Sequence, residues 1–207
     1  MEFQLIQKKT YRYQVLNDNP QAKTVLYVLH GYGQLVKFFI QKFKNLNQEI
    51  LIVAPEGMHR FYKNGNSGRV GASWMTKEAR ETDIYDNMNY LNALDADLAT
   101  KYPITKRLLL GFSQGGSTAI RWKLDQKIKF DALIVWASDF PPDKEWPAHM
   151  QKENHNIIVI GNNDEFFTEE SKKQVVKAYL NKGFEISNYI GTHDIEQNTL
   201  KKLFDKL

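Results

Sequence analysis

The sequence predicts an α/β layered fold: a mostly parallel central sheet, helices on both faces, an antiparallel N-terminal edge and no separate lid domain. Two observations carry this. Segments 24–30 (TVLYVLH), 50–55 (ILIVAP), 107–113 (RLLLGFS), 132–138 (ALIVWAS) and 156–161 (NIIVIG) are almost wholly apolar. Runs of that length and composition suit strands covered on both faces, as in parallel sheets. Helical patterns fill the gaps between them, and strand–helix alternation marks a parallel α/β sheet.

The elements follow in order. Residues 2–16 (EFQLIQKKTYRYQVL) alternate and read as an antiparallel edge hairpin. Leu35, Phe39, Phe43 and Leu46 step at helical spacing, as do Ile84, Met88, Leu91, Leu94, Leu98 and Tyr102. Residues 54–74 carry four glycines and no clear period, so they read as a long irregular connection at the ligand-binding end of the sheet. Thr168 fits a helix N-cap, with Glu169 and Glu170 in the first turn, where the helix dipole favours acids. Gly183 fits the stop of that helix. Residues 184–191 read as the last strand. Ile195, Leu200, Leu203 and Leu207 share the broad face of a closing helix.

All 207 residues fit one domain with a single core. Apolar residues make up 42% and aromatics 13%, a globular composition. There is no cysteine, which excludes disulfides, thiolate metal sites and a cysteine nucleophile. The first residues hold no long apolar run, and no later run reaches the length of a membrane helix. The expectation is a soluble, cytoplasmic protein without stable membrane insertion. The net charge of +4 is spread among acids with no like-charge block, which favours a solvated surface over nucleic-acid binding.

The chemistry centres on Gly111-Phe112-Ser113-Gln114-Gly115, where a strand runs into a helix. A serine hydroxyl needs a base before it can attack. Gly-x-Ser-x-Gly at such a junction holds the serine in a sharp turn and projects its oxygen above the sheet. Of the five histidines, His193 follows the last strand, whereas His30 ends an earlier strand and reads as a structural anchor. Asp164 and Asp139 each follow a strand, and either could reach a histidine. The order Ser113, Asp164, His193 is that of α/β-hydrolases, with His193 as base and Asp164 as its orienting acid. The Gln114 amide, at a helix start, and the Tyr32 amide, in the glycine-flanked 30–34 loop, are the candidate oxyanion donors.

Together GFSQGG, HGYGQ, GNNDEFF and GTHDI resemble the phospholipase/carboxylesterase family of α/β-hydrolases, which includes the acyl-protein thioesterases. The resemblance runs from His30 to the final helix. It implies a serine hydrolase acting on small-molecule carboxyl esters or thioesters, with no metal or cofactor. It puts nucleophile, acid and base on Ser113, Asp164 and His193, and the oxyanion amides on Tyr32 and Gln114. Trp74 matches a family tryptophan near the acyl site. Phe166 and Phe167 stand where the family usually has Val-Pro, and are taken with Trp74 as substrate-binding residues. Thr192 replaces a usual glycine. The competing readings are a serine peptidase and a non-catalytic binding protein on the same fold. A homodimer is compatible with the sequence.

Overall fold

A computed structural model describes residues 1, 3–151 and 155–207. In chain order the elements are β1 (Tyr13–Leu16), β2 (Thr24–Leu29), α1 (Val36–Phe39), β3 (Ile50–Pro55), β4 (His59–Asn64), β5 (Ser67–Ser73), α2 (Arg80–Lys101) and β6 (Lys106–Phe112). Then come α3 (Gln114–Leu124), β7 (Ala132–Trp136), β8 (His155–Gly161), α4 (Glu169–Leu180), β9 (Glu185–Tyr189) and α5 (Gln197–Phe204). The main sheet has the order β1-β3-β2-β6-β7-β8-β9. Only β1 runs antiparallel to its neighbour.

Strand β2 shows why the apolar runs are continuous. Val25, Tyr27 and Leu29 enter a core with α2, α3 and α4. Leu26 and Val28 enter a second core with α1 and α5. Alternate side chains leave opposite faces of a strand, and both faces are covered, so every position must be apolar. Burying a side chain of this size contributes about 1.5–3 kcal/mol.

Three segments differ from the sequence reading. The N-terminal hairpin reduces to β1 alone, paired with β3 over four residues. Residues 3–12 form no strand, and Glu2 lies outside the described residues. The helix expected over 35–46 is one short α-turn continuing into a 3-10 turn, Ile40–Phe43, whose apolar residues still reach the core. The connection at 54–74 is an ordered hairpin, β4–β5. Gly65 and Gly68 at its tip take positive φ of 66° and 83°, the left-handed region that glycine enters without penalty. Gly65-Asn66 makes the two-residue turn between the paired Asn64 and Ser67, with glycine supplying the positive φ at its first position.

His30 shows how the sheet edge is pinned. It is fully buried; its Nδ1 lies 2.8 Å from the Gly31 carbonyl, and its Nε2 accepts from the Gly57 N–H at 2.9 Å. Accepting at Nε2 fixes the neutral ring with its proton on Nδ1. Burial pushes its pKa down to about 4. The unfolded chain, with histidine near 6.5, therefore binds the extra proton first as pH falls. The stabilisation is full above about pH 6.5 and is lost on acidification towards pH 4, about 3 kcal/mol in all. Asp143, held down to about 2 by Arg121, acts only at more acid pH. Urea unfolding at pH 7 and pH 4.5 should show this loss, and His30→Asn should flatten it while lowering stability at pH 7. An equal acid loss in the variant would refute the assignment.

Candidate active site

The register brings the carboxyl ends of β2, β6, β7, β8 and β9 to one edge of the sheet, pairing Leu29 with Gly111, Phe112 with Trp136 and Gly161 with Tyr189. Open α/β sheets bind ligands at that edge.

Ser113 sits between β6 and α3 at φ 52° and ψ −123°. A non-glycine residue there costs about 1–3 kcal/mol and persists only where its surroundings enforce it. Its N–H donates to the Trp136 carbonyl at 2.8 Å, and its carbonyl accepts from Gly116 at 2.8 Å. The flanking glycines are required by close approach. A Cβ on Gly111 would lie 2.3 Å from the Gly115 carbonyl oxygen, and one on Gly115 would lie 2.3 Å from that of Leu29.

His193 and Asp164 come from neighbouring turns. His193 Nδ1 lies 2.8 Å from Asp164 Oδ2. The other carboxylate oxygen, Oδ1, accepts from the Phe166 N–H at 3.0 Å. The Asp164 side chain is wholly buried, whereas that of His193 keeps 11% exposure and so can meet a substrate. The imidazole lies between Phe112 and Phe166, with ring centres 4.9 and 4.3 Å away. Its backbone N–H donates to Glu165 Oε2 at 3.1 Å. Asp139 makes no bond to His193.

Residues that sequence reasoning passed over hold this pair in place. The Tyr189 hydroxyl lies 2.6 Å from the carbonyls of both Thr192 and Asp194. The Trp136 indole N–H donates to the Asp194 carbonyl at 2.9 Å. A Cβ on Gly161 would meet the Gly191 carbonyl oxygen at 2.6 Å, so only glycine lets the two turns pack together. A glycine closing an otherwise apolar strand was the one sequence signal for this.

The 30–34 loop lies directly against the elbow, for a Cβ on Gly31 would sit 3.2 Å from Ser113 Cβ. Hairpin β4–β5 supports the loop: Gly33 N–H donates to the Ala72 carbonyl at 2.8 Å, and Ala72 N–H to the Gln34 carbonyl at 3.1 Å. The Tyr32 ring stacks on Phe61 at 5.1 Å and is 62% exposed, so its side chain lies on the surface of the loop. Gln114 heads α3, where the first N–H groups have no partner within the helix. Its side chain has a part the sequence did not reveal. Its Oε1 accepts from the Trp74 N–H at 3.0 Å, and its Nε2 donates to the Met75 carbonyl at 2.8 Å, tying elbow to hairpin base.

A cleft of about 290 Å³ contains Ser113, Gln114, Asp139, Phe166, Phe167 and His193 in its lining. Trp74 is a correction. It is fully buried, donates its indole N–H to the His30 carbonyl at 2.8 Å, and packs in the core instead of facing the cleft. A larger groove of about 820 Å³ opens between α1 and the hairpin, lined by Phe38, Lys37, Lys63 and Arg69 among others. No helix among the described residues is long and apolar enough to cross a membrane.

A seven-stranded sheet of this order, with an elbow serine between its central strand and the next helix, defines an α/β-hydrolase fold. The phospholipase/carboxylesterase family matches residues 12–207, and the chain belongs to that family. It is an ester hydrolase. It is 26% identical over 155 residues to acyl-protein thioesterase 1 homolog 2 of Dictyostelium discoideum, covering 68% of this chain and 69% of that protein. Among solved structures it is similar to a carboxylesterase from Mesorhizobium loti, at 16% identity, covering 95% of this chain and 93% of that one, with TM-score 0.74. It is also similar to Zea mays acyl-protein thioesterase 2, at 14% identity, covering 94% and 96%, with TM-score 0.73. At such identities the two structures speak for the fold.

Proposed function

We propose that the protein cleaves carboxyl esters or thioesters through an acyl-enzyme on Ser113. The observation that carries this reading is the shared cleft: Ser113 at a strained elbow, beside a histidine whose far nitrogen meets a buried carboxylate at 2.8 Å. A carboxylate only accepts, so Asp164 keeps the imidazole proton on Nδ1 and leaves the Nε2 lone pair for Ser113. His193 takes the hydroxyl proton as Ser113 Oγ attacks the carbonyl carbon. The tetrahedral oxyanion is held by the N–H groups of Tyr32 and Gln114. His193 then returns the proton to the departing alkoxide or thiolate, and the acyl group stays on Ser113. Water, deprotonated by His193, releases the acid by the same route in reverse. Phe166 and Phe167 supply an apolar wall for the substrate.

A fluorophosphonate probe tests the reading. The wild-type protein should be labelled on Ser113, while a Ser113→Ala control stays unlabelled. A wild-type protein that remains unlabelled while a control serine hydrolase reacts would overturn it. A panel of p-nitrophenyl esters of rising chain length then locates the preferred acyl group.

A further inference from the structure

One charged group in the cleft has no part in the proposed chemistry. Asp139 lies just past β7, on the same sheet edge as Ser113, and lines the cleft beside it. Its backbone is fixed on one side, where its carbonyl accepts from Ser117 Oγ at 3.2 Å, one turn along α3 from the elbow. The preceding residue is fixed on the other side, where the Ser138 carbonyl accepts from the Tyr179 hydroxyl at 3.0 Å. The approach is close: a Cβ on Gly116 would lie 2.5 Å from Ser138 Cβ. The turn is therefore clamped between α3 and α4, which fixes the point on the cleft wall from which the carboxylate projects.

Among the described residues the Asp139 carboxylate has no salt-bridge or hydrogen-bond partner. The nearby Lys182 ammonium is engaged over the Phe140 ring, 4.5 Å from its centre. The other acids of the site lie at His193: Asp164 is buried against its ring, and Glu165 accepts from its backbone N–H. Partial burial raises the Asp139 carboxyl above the ordinary aspartate range, and no cation opposes that shift. Asp139 thus places a carboxylate with no cationic partner on the cleft wall beside Ser113, apart from the Asp164 and Glu165 carboxylates at His193.

We infer that Asp139 is a specificity-determining residue: it admits esters whose arm over Ser117 and Phe167 is cationic or neutral and rejects those whose arm is anionic. This rests on Ser113 being the nucleophile. A unit charge several ångströms from a carboxylate in a partly shielded cleft changes relative transition-state binding by about tenfold. The preference should shrink as salt screens it.

Two matched ester series test this. In one the alcohol varies: acetates of choline, 3,3-dimethylbutanol and 3-hydroxypropanesulfonate. In the other the acyl group varies: p-nitrophenyl esters of 4-trimethylammoniobutyrate, 5,5-dimethylhexanoate and monoanionic adipate. Wild type should favour the cationic over the anionic ester in the series whose arm passes Asp139. Asp139→Asn should collapse that kcat/KM ratio by about tenfold, and Asp139→Glu should retain it. A merely structural role would lower all three esters together and leave the ratio alone. An unchanged ratio in both series overturns the inference while the esterase reading stands. Failure to turn over even the neutral esters, with no probe labelling of Ser113, overturns the esterase reading and this inference with it.

Discussion

Ser113→Ala is expected to lower kcat by about 10⁶, the scale on which removing the nucleophile of a serine–histidine–aspartate unit acts. The fold should survive. The Ser113 side chain makes no helix-capping hydrogen bond, and alanine keeps the Cβ, so backbone strain at φ 52° is unchanged. The thermal unfolding midpoint should therefore stay close to that of wild type. The assay is hydrolysis of a neutral p-nitrophenyl ester by purified protein, with the unfolding midpoint measured on the same sample. Appreciable residual activity would mean that another group attacks the ester.

Asp164→Asn should reduce kcat by about 10⁴. The shape is conserved, and Oδ1 can still accept from Phe166 N–H. The amide nitrogen, however, would face His193 Nδ1, where the carboxylate oxygen now lies at 2.8 Å. To avoid two opposed donors the imidazole must move its proton to Nε2. The lone pair then points away from Ser113. Because the substrate contacts remain, KM should change little, which separates lost positioning from general damage to the pocket. If Asp139→Asn harmed hydrolysis of neutral esters more than Asp164→Asn, the choice of acid would be wrong.

Legibility in the sequence tracked burial. Strands β2, β3, β6, β7 and β8 could be read because both faces are covered, leaving unbroken runs of Val, Ile and Leu. Helix α4 could be read from its caps: Thr168 accepts from Ser171 N–H, and Gly183 takes φ 78° after its last turn. Ser113, Asp164 and His193 could be picked out because each follows a strand end. Hairpin β4–β5 was hidden because β4 is exposed along most of its length, so His59-Arg60-Phe61-Tyr62-Lys63 carries no apolar alternation. The register of side-chain amides cannot be read from a sequence at all, which is why Gln114 showed its backbone position but not its grip on residues 73–75. Trp74 was misjudged for a related reason. Proximity to the site along the chain says nothing of which way an indole faces.

The bonds of Gln114 and of the hairpin have a consequence for where the energy of catalysis is spent. Elbow, hairpin and 30–34 loop close a ring: Gln114 to Trp74 and Met75, Ala72 to Gly33 and Gln34, and Gly31 back against Ser113. A ring closed by hydrogen bonds and close backbone packing leaves its members little freedom to reorient. Under the proposed mechanism, the ordering of the Tyr32 and Gln114 amides is then settled during folding, not anew in each turnover, and dipoles fixed beforehand need no rearrangement as charge develops. In this arrangement the hairpin, which bears none of the reacting groups, acts as a brace that spares the reaction an entropic cost.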